Sequence, residues 1–346
     1  MSTTPHTTGQ APTPVAGSTE RMQAVVQSGY GDADVLRVAE VARPTITDSE
    51  VLVRVHAAGL DRGTWHLMTG TPYAVRLALG LRAPRQPIVG RDVSGTVEQI
   101  GASVTRFAVG DEVFGICNGS FAEFAAVRES KLALKPAGST FAGAASLGIS
   151  GSTALRAVVD SGRVALGQRV LVIGASGGVG SYAVQIAKAF GAEVTGVCST
   201  AKAEHVRSLG AEHIIDYSHA DFADGQVRYD LVLDIGGSSR VSHLRRALTP
   251  RGTLVLVGGE GGGNLTGMGR QLAAAALSPW VRQRLTLLTP KESHESLERL
   301  AGLVDAGSVT PAIDRTFALA QAAEAMRVLV SGQVRGKLAI TVIDPD

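Results

Sequence analysis

Residues 169–188 read RVLVIGASGGVGSYAVQIAK, and no other stretch restricts the fold of this chain as much. An apolar run at 170–174 enters a turn crowded with glycines, and apolar residues then recur at helical spacing over 179–190. The pattern predicts strand, turn, helix. The glycines of such a turn have separate physical tasks. One allows a tight exit from the strand, one lets a pyrophosphate approach the backbone, and one lets helix and strand pack closely. The N–H groups and positive dipole end of the helix then face the phosphates. Gly174, Ala175, Ser176, Gly177, Gly178, Val179 and Gly180 are therefore the candidate dinucleotide-binding residues. A βα turn without a ligand is the alternative, and the next strand, read at 192–197, stands at the right distance to argue against it.

The chain around this unit has 346 residues, enough for two domains with full cores. With 18% charged residues and a formal net charge of +2, nothing calls for nucleic acid or an anionic membrane as partner, and a small-molecule substrate is expected. Cys117 and Cys198 are far apart and have no neighbouring thiol, so neither a disulfide framework nor a cysteine-rich metal site is expected. A reducing, cytoplasmic location fits. Residues 1–20 are rich in Ser, Thr, Pro and Gly without an apolar segment, which predicts a disordered tail and no secretory signal. No apolar run reaches the length of a membrane span.

In chain order, short strands are expected at 23–30, 35–41, 50–57, 87–101, 111–115 and 120–127, separated by Gly, Pro and Asp turns. They predict a β-rich, partly barrel-like first domain. Residues 144–159 read as one helix or two, broken at 148–151. Strands are then expected at 193–197, 213–215, 231–234, 253–257 and 284–288, the first four alternating with helices, which argues for a parallel, doubly wound sheet. A helix at 291–306, a helix at 318–330 and a strand at 337–342 close the chain.

An NAD-preferring fold places an acid at the end of its second strand, roughly 20 residues after the glycine turn. Here that place reads Val197-Cys198-Ser199-Thr200-Ala201-Lys202. Ser199, Thr200 and Lys202 suit a 2′-phosphate, which a carboxylate would repel, so NADPH is expected over NADH. A solvated Lys202 is the alternative.

Five stretches carry a resemblance: AAGLDRGTWHLMTG at 57–70, GRDVSGTVEQIG at 90–101, GDEVFG at 110–115, the glycine turn, and SLGAEHIIDY at 208–217. In their order and spacing the chain resembles the medium-chain dehydrogenase/reductase superfamily, and within it the zinc-free, quinone-oxidoreductase-like branch. The resemblance implies an α/β fold class, a Rossmann doubly wound parallel sheet plus a β-rich GroES-like domain, with the active site in the cleft between them. It implies a GroES-like substrate domain at 21–145 completed by 308–346, a Rossmann NADP-binding domain at 146–307, and a homodimer. It also implies cofactor contacts at Thr153, Tyr217, Gly236, Gly258 and Gly259, for which a helix cap, a core aromatic and turn glycines are the alternatives.

The zinc branch carries a cysteine ligand where this chain has Asp61, and Gly-His-Glu where it has Gly90-Arg91-Asp92. One carboxylate beside an arginine is not the three-ligand set of a catalytic zinc, and no metal is expected. Without a Lewis acid the feasible acceptors are quinones and enones, which spread the charge that arrives with hydride over a conjugated system. An alcohol dehydrogenase-like enzyme or enoyl reductase acting on a specialised metabolite, and an NADPH-binding protein with little or no turnover, are the competing readings. The Asn and Tyr that the branch often sets beside the nicotinamide fall, by spacing, on Asp61 and His66. His66 is a candidate proton or hydrogen-bond donor, or else a packed histidine; Asp61 is a candidate for the chemistry, or an ion-pair partner of Arg91 or Arg62. Trp65, Tyr73 and Trp280 are candidate substrate contacts in a chain with 4% aromatics, core packing being their alternative. The glycine-rich loop at 258–265 reads as a cover over the substrate or as a dimer contact.

Overall fold

The computed structural model describes residues 20–259, 268–288 and 292–343. The expected tail, apart from Glu20, and most of the 258–265 loop lie outside them. Strands β1 (Arg21–Gln27) and β2 (Leu36–Ala42) form an antiparallel pair. Then come β3 (Glu50–Leu60), the helices α1 (Arg62–Thr69) and α2 (Arg76–Leu79), and the strands β4 (Asp92–Ile100), β5 (Glu112–Ile116), β6 (Phe124–Arg128) and β7 (Leu132–Leu134). Helix α3 (Phe141–Leu155) leads into β8 (Arg169–Ile173), α4 (Gly178–Ala189), β9 (Glu193–Cys198), α5 (Ala203–Ser208), β10 (His213–Asp216), β11 (Tyr229–Asp234), α6 (Val241–Arg246) and β12 (Leu248–Leu256). The chain closes with α7 (Gly269–Leu277), β13 (Arg284–Leu287), α8 (His294–Asp305), β14 (Ile313–Ala318), α9 (Ala322–Val330) and β15 (Lys337–Thr341).

Two sheets organise these elements. One has seven strands in the order β14-β15-β3-β4-β5-β7, with β6 on β3, so the end of the chain returns to the β-rich unit. The other has six parallel strands in the order β10-β9-β8-β11-β12-β13. Strand β8 shows why its sequence is apolar throughout. Val170 and Val172 feed the core on one face of the sheet, and Leu171 and Ile173 feed the core on the other. A parallel sheet covered on both faces has no polar side to alternate with. The strand order reverses between β8 and β11, and a crevice opens at the carboxyl ends there, where such sheets bind ligands.

Helix α3 differs from expectation, because it runs unbroken through 148–151. The glycines serve close packing: a Cβ on Gly148 would lie 2.6 Å from an Asp92 carboxylate oxygen, and one on Gly151 would lie 2.4 Å from Leu300. The irregularity falls later, in a π-type turn at Arg156–Ser161. The expected domain boundary at 145–146 lies inside this helix. Strand β14 was not anticipated, since within IDRTFA only Phe317 is buried and the strand sits at the sheet edge.

Candidate active site

The crevice begins with the glycine turn. Gly174 leaves β8 at a φ of +84°, a conformation that favours glycine. A Cβ on Gly180 would lie 2.1 Å from the Gly174 carbonyl oxygen, so α4 rests directly on the turn. No side chain caps α4 at Gly177. Its first-turn N–H groups therefore point at the crevice without a side-chain acceptor, which fits a dinucleotide pyrophosphate.

A cavity of about 420 Å³ joins this turn to the other unit. Gly174, Ser176, Gly177, Gly178, Val179, Gly236, Gly258 and Gly259 line it from the ends of β8, β11 and β12, and Thr153 lines it from α3. Asp61 and His66 line it from α1, on the opposite wall. Ala175 and Gly180 serve the turn itself; the Ala175 methyl is buried in the core below.

Asp61 is the N-cap of α1, its Oδ1 accepting from the Thr64 N–H at 2.8 Å, while Oδ2 is buried with no partner among the described residues. Of the two alternative ion-pair partners of Asp61, Arg91 donates to Glu292 instead, which Lys131 also holds at 2.8 Å. His66 donates from Nδ1 to the Thr71 carbonyl at 2.8 Å. That bond fixes the tautomer, so the neutral ring carries its lone pair on Nε2, and only the imidazolium can donate from that atom.

The aromatic candidates do not converge. Trp65 packs against the core beneath α9 and β15 and meets the His66 ring edge-on. Tyr73 is half exposed beside Arg76, and Trp280 is 85% exposed at the end of α7. None of the three lines the cavity.

Ser199, Thr200, Lys202 and Tyr217 lie outside this cavity, at the ends of β9 and β10. Lys202 Nζ donates to the carbonyls of Gly332 and Val334 at 2.6 and 2.8 Å. Burial pushes its ammonium below the ordinary value, with Asp314 opposing and Arg335 adding to the effect. Tyr217 is 65% exposed, which removes the core-aromatic alternative. Parallel pairing puts Asp216 opposite Cys198, and Thr200 Oγ1 donates to its carboxylate. Hydrogen bonds from Ser218 and Thr200 hold that carboxyl well below the usual range. The sequence at the end of β9 does not contain this acid, because it belongs to the neighbouring strand.

Other polar groups of the site were not among the candidates, Asp92 having been marked only as part of an altered zinc-ligand position. Lys337 Nζ, on the cavity wall, donates to Asp92 Oδ2 at 3.2 Å and to Ser150 Oγ at 3.0 Å. Both charged side chains are sealed from water. Burial pushes the Asp92 carboxyl up to about 7, Lys337 opposing and Asp61 adding to the rise. Arg270 on α7 donates to Asp234 and to the carbonyls of Gly237, Ser239 and Gly258, tying together the loops after β11 and β12. A charge embedded in an apolar strand, as in GKLAIT or GRDVSGTV, is the signal that marks Lys337 and Asp92, since such a charge needs a partner.

Residues 47–165 match the family described as alcohol dehydrogenase GroES-like domain, and residues 209–340 match the one described as zinc-binding dehydrogenase. The chain belongs to the medium-chain dehydrogenase/reductase superfamily, in its quinone-oxidoreductase-like branch, and is an NAD(P)H-dependent oxidoreductase. Among its relatives is the mitochondrial NAD(P)H oxidoreductase RTN4IP1 of Mus musculus, 34% identical over 93% of this chain and 89% of the relative. The 2-methylene-furan-3-one reductase of Solanum lycopersicum is 32% identical over 92% of this chain and 79% of the relative. A solved structure, the quinone oxidoreductase from Coxiella burnetii, superimposes with a TM-score of 0.81 at 28% identity, covering 94% of this chain and 100% of that one.

Proposed function

We propose that the protein reduces a quinone or an α,β-unsaturated carbonyl with NADPH and without a metal. The observation that carries this reading is the use made of the two positions where the zinc branch has ligands. Asp61 is engaged in capping α1, and Arg91 is a cation locked to Glu292. A guanidinium beside the cleft repels a metal ion, whereas a conjugated acceptor needs only orientation and a hydrogen-bond donor.

The glycine turn and the uncapped end of α4 would hold the pyrophosphate, and Thr153, Gly236, Gly258 and Gly259, which line the same cleft, would border the nicotinamide end. When bound there, a reduced nicotinamide would supply hydride for an acceptor's electron-poor carbon, with a proton needed to complete the reduction. His66, held by Thr71, passes that proton from Nε2 when it is protonated, and Asp61 shapes the helix that carries it. Lys202 with Arg335 nearby supports a 2′-phosphate, and Asp216 on Thr200 is the group that opposes it. A homodimer is proposed on the family resemblance alone, and light scattering of the purified protein tests it. The compartment is an open proposal too: no described helix is long and apolar enough to cross a membrane, and RTN4IP1 relatives are named as mitochondrial.

The test follows oxidation of NADPH and of NADH with p-benzoquinone, 2-cyclohexen-1-one and benzaldehyde, each with and without a chelator. Turnover of the first two with NADPH, unaffected by chelator, is the expected result. Chelator-sensitive reduction of benzaldehyde overturns the metal-free reading, and tight NADPH binding without turnover favours a narrow biosynthetic substrate or a non-catalytic role. Combining Asp61→Asn, which keeps the cap oxygen, with His66→Ala should lower kcat at least ~10-fold while the NADPH Kd stays within about twofold.

A further inference from the structure

Between Asp61 and Asp92 the chain carries Arg62, Arg76, Arg82, Arg85 and Arg91, and neither Asp nor Glu. The formal charge of +2 for the whole chain hides this local excess. Within the stretch, a 3₁₀ turn at Tyr73–Val75 runs directly into α2. Tyr73 and Leu77 stand four residues apart on these turns and share a face, and Leu81 follows the Gly80 that ends α2. The three are 50%, 74% and 68% exposed. The other side of the segment looks inward: Ala78 and Leu79 line a cavity of about 170 Å³ with Leu67 and Met68 of α1, and none of the three exposed side chains does.

The segment is held in this pose. Tyr30 Oη donates to the Gly80 carbonyl at 2.6 Å. Arg76 donates to the carbonyls of Gly70 and Thr69 at 2.9 and 3.1 Å, its guanidinium lying against the rings of Tyr30 and Tyr73. Arg82 and Arg85 are exposed and form no ion pair among the described residues; Arg85 reaches only the Ala78 carbonyl, at 3.4 Å. On the loop that carries Tyr30, Asp34 is paired with Arg327, and Asp32 accepts from the Asp34 N–H at 3.1 Å.

We propose that this face docks on an anionic membrane surface, Tyr73, Leu77 and Leu81 entering the headgroup boundary while Arg82 and Arg85 pair with lipid phosphates. The proposal does not depend on the reductase reading. Large apolar side chains beside unpaired arginines match the two contributions to interfacial binding, buried apolar area and attraction to anionic lipid. The arginine stems lie along apolar surface while their guanidinium groups stay among the headgroups. Anchorage is peripheral, since no described helix is long and apolar enough to cross the bilayer. A second copy of the chain fits the face poorly, because a two-fold contact sets the arginines of one copy against those of the other with no carboxylate between them. A partner strand finds no free edge in this helical segment, and a cavity of about 170 Å³ is too small for a helix ~10 Å across.

The test is co-sedimentation of the full chain with vesicles of phosphatidylcholine alone and with vesicles in which about a third of the lipid is phosphatidylglycerol. The chain should pellet with the anionic vesicles, stay in solution with the neutral ones, and be released as salt is raised to ~0.5 M. Leu77→Gln with Leu81→Gln, and separately Arg82→Gln with Arg85→Gln, should each lower the partition coefficient at least ~10-fold. All four side chains are exposed and none lines the cofactor cleft, so Tm and the NADPH Kd should stay at wild-type values. Failure to pellet with anionic vesicles, equal pelleting with both kinds, or wild-type partition in both double variants overturns the proposal. Binding of a polyglutamate peptide without binding of vesicles gives the face to an acidic protein partner, and an oligomer that dissociates in Leu77→Gln with Leu81→Gln gives it to a second copy; either result overturns the membrane assignment. The readout is sedimentation, so its outcome is separate from that of the turnover test.

Discussion

Asp92 and Lys337 meet where no water reaches, the ammonium donating to the Asp92 carboxyl and to the Ser150 hydroxyl. The aspartate is the more informative of the two. Burial raises its carboxyl to about 7 from an ordinary 3.8, against the pull of Lys337 and with the push of Asp61. Between those values the folded protein holds a proton that the unfolded chain has already released. Stability therefore falls as pH rises through this window, by as much as about 1 kcal/mol per pH unit, and levels off above the folded value. Asp92→Asn removes the titrating group and should flatten the dependence of Tm on pH between about 5 and 7. Melting curves across that range decide the matter, and an unchanged slope in the variant would show that another group sets it. The variant also keeps an oxygen for the Ile149 N–H, so a flattened slope is separable from loss of that hydrogen bond.

The glycine turn was legible in the sequence because everything that defines it is local: an apolar strand, glycines within a few residues, then helical periodicity. Helix α3 was misread for the opposite reason. Its glycines look like breakers in a one-dimensional pattern, and only the approach of Asp92 and Leu300 shows that they are there to let neighbours in. The same distinction fixes what a substitution does. Gly180→Ala places a methyl group 2.1 Å from the Gly174 carbonyl oxygen, a backbone atom that cannot swing aside. The helix must lift from the turn, at a cost of about 1–3 kcal/mol, and its N–H groups leave the phosphate position. Fluorescence titration should show NADPH binding weakened at least ~10-fold, alongside a lower Tm in calorimetry. Wild-type affinity in this variant would mean that the pyrophosphate does not sit on α4.

At the scale of the whole molecule the site divides into a half that sequence could reach and a half it could not. The wall at the ends of β8, β11 and β12 follows strand ends in a known order, and Gly236, Gly258 and Gly259, named from the resemblance, do line the crevice there. The side toward the β-rich unit includes contacts such as that of Arg91 with Glu292, separated by 201 positions, and no local pattern joins them. Glu292 precedes α8, and it reaches from the end of the parallel-sheet unit to Arg91 and Lys131 on the β-rich unit. Burial opposes its charge, but hydrogen bonds and the two cations outweigh that and hold the carboxyl below its ordinary 4.5. A depressed folded pKa means the contribution is complete above the unfolded value and is lost as pH falls through the folded one. Glu292→Gln leaves two cations facing each other at a partly exposed site and should cost about 1–3 kcal/mol near neutral pH. The Tm difference from wild type should be widest above pH 6 and narrow as the pH drops below 4.5. A Tm difference constant with pH would show that the carboxylate acts by packing alone and not as a charged bridge between the two units.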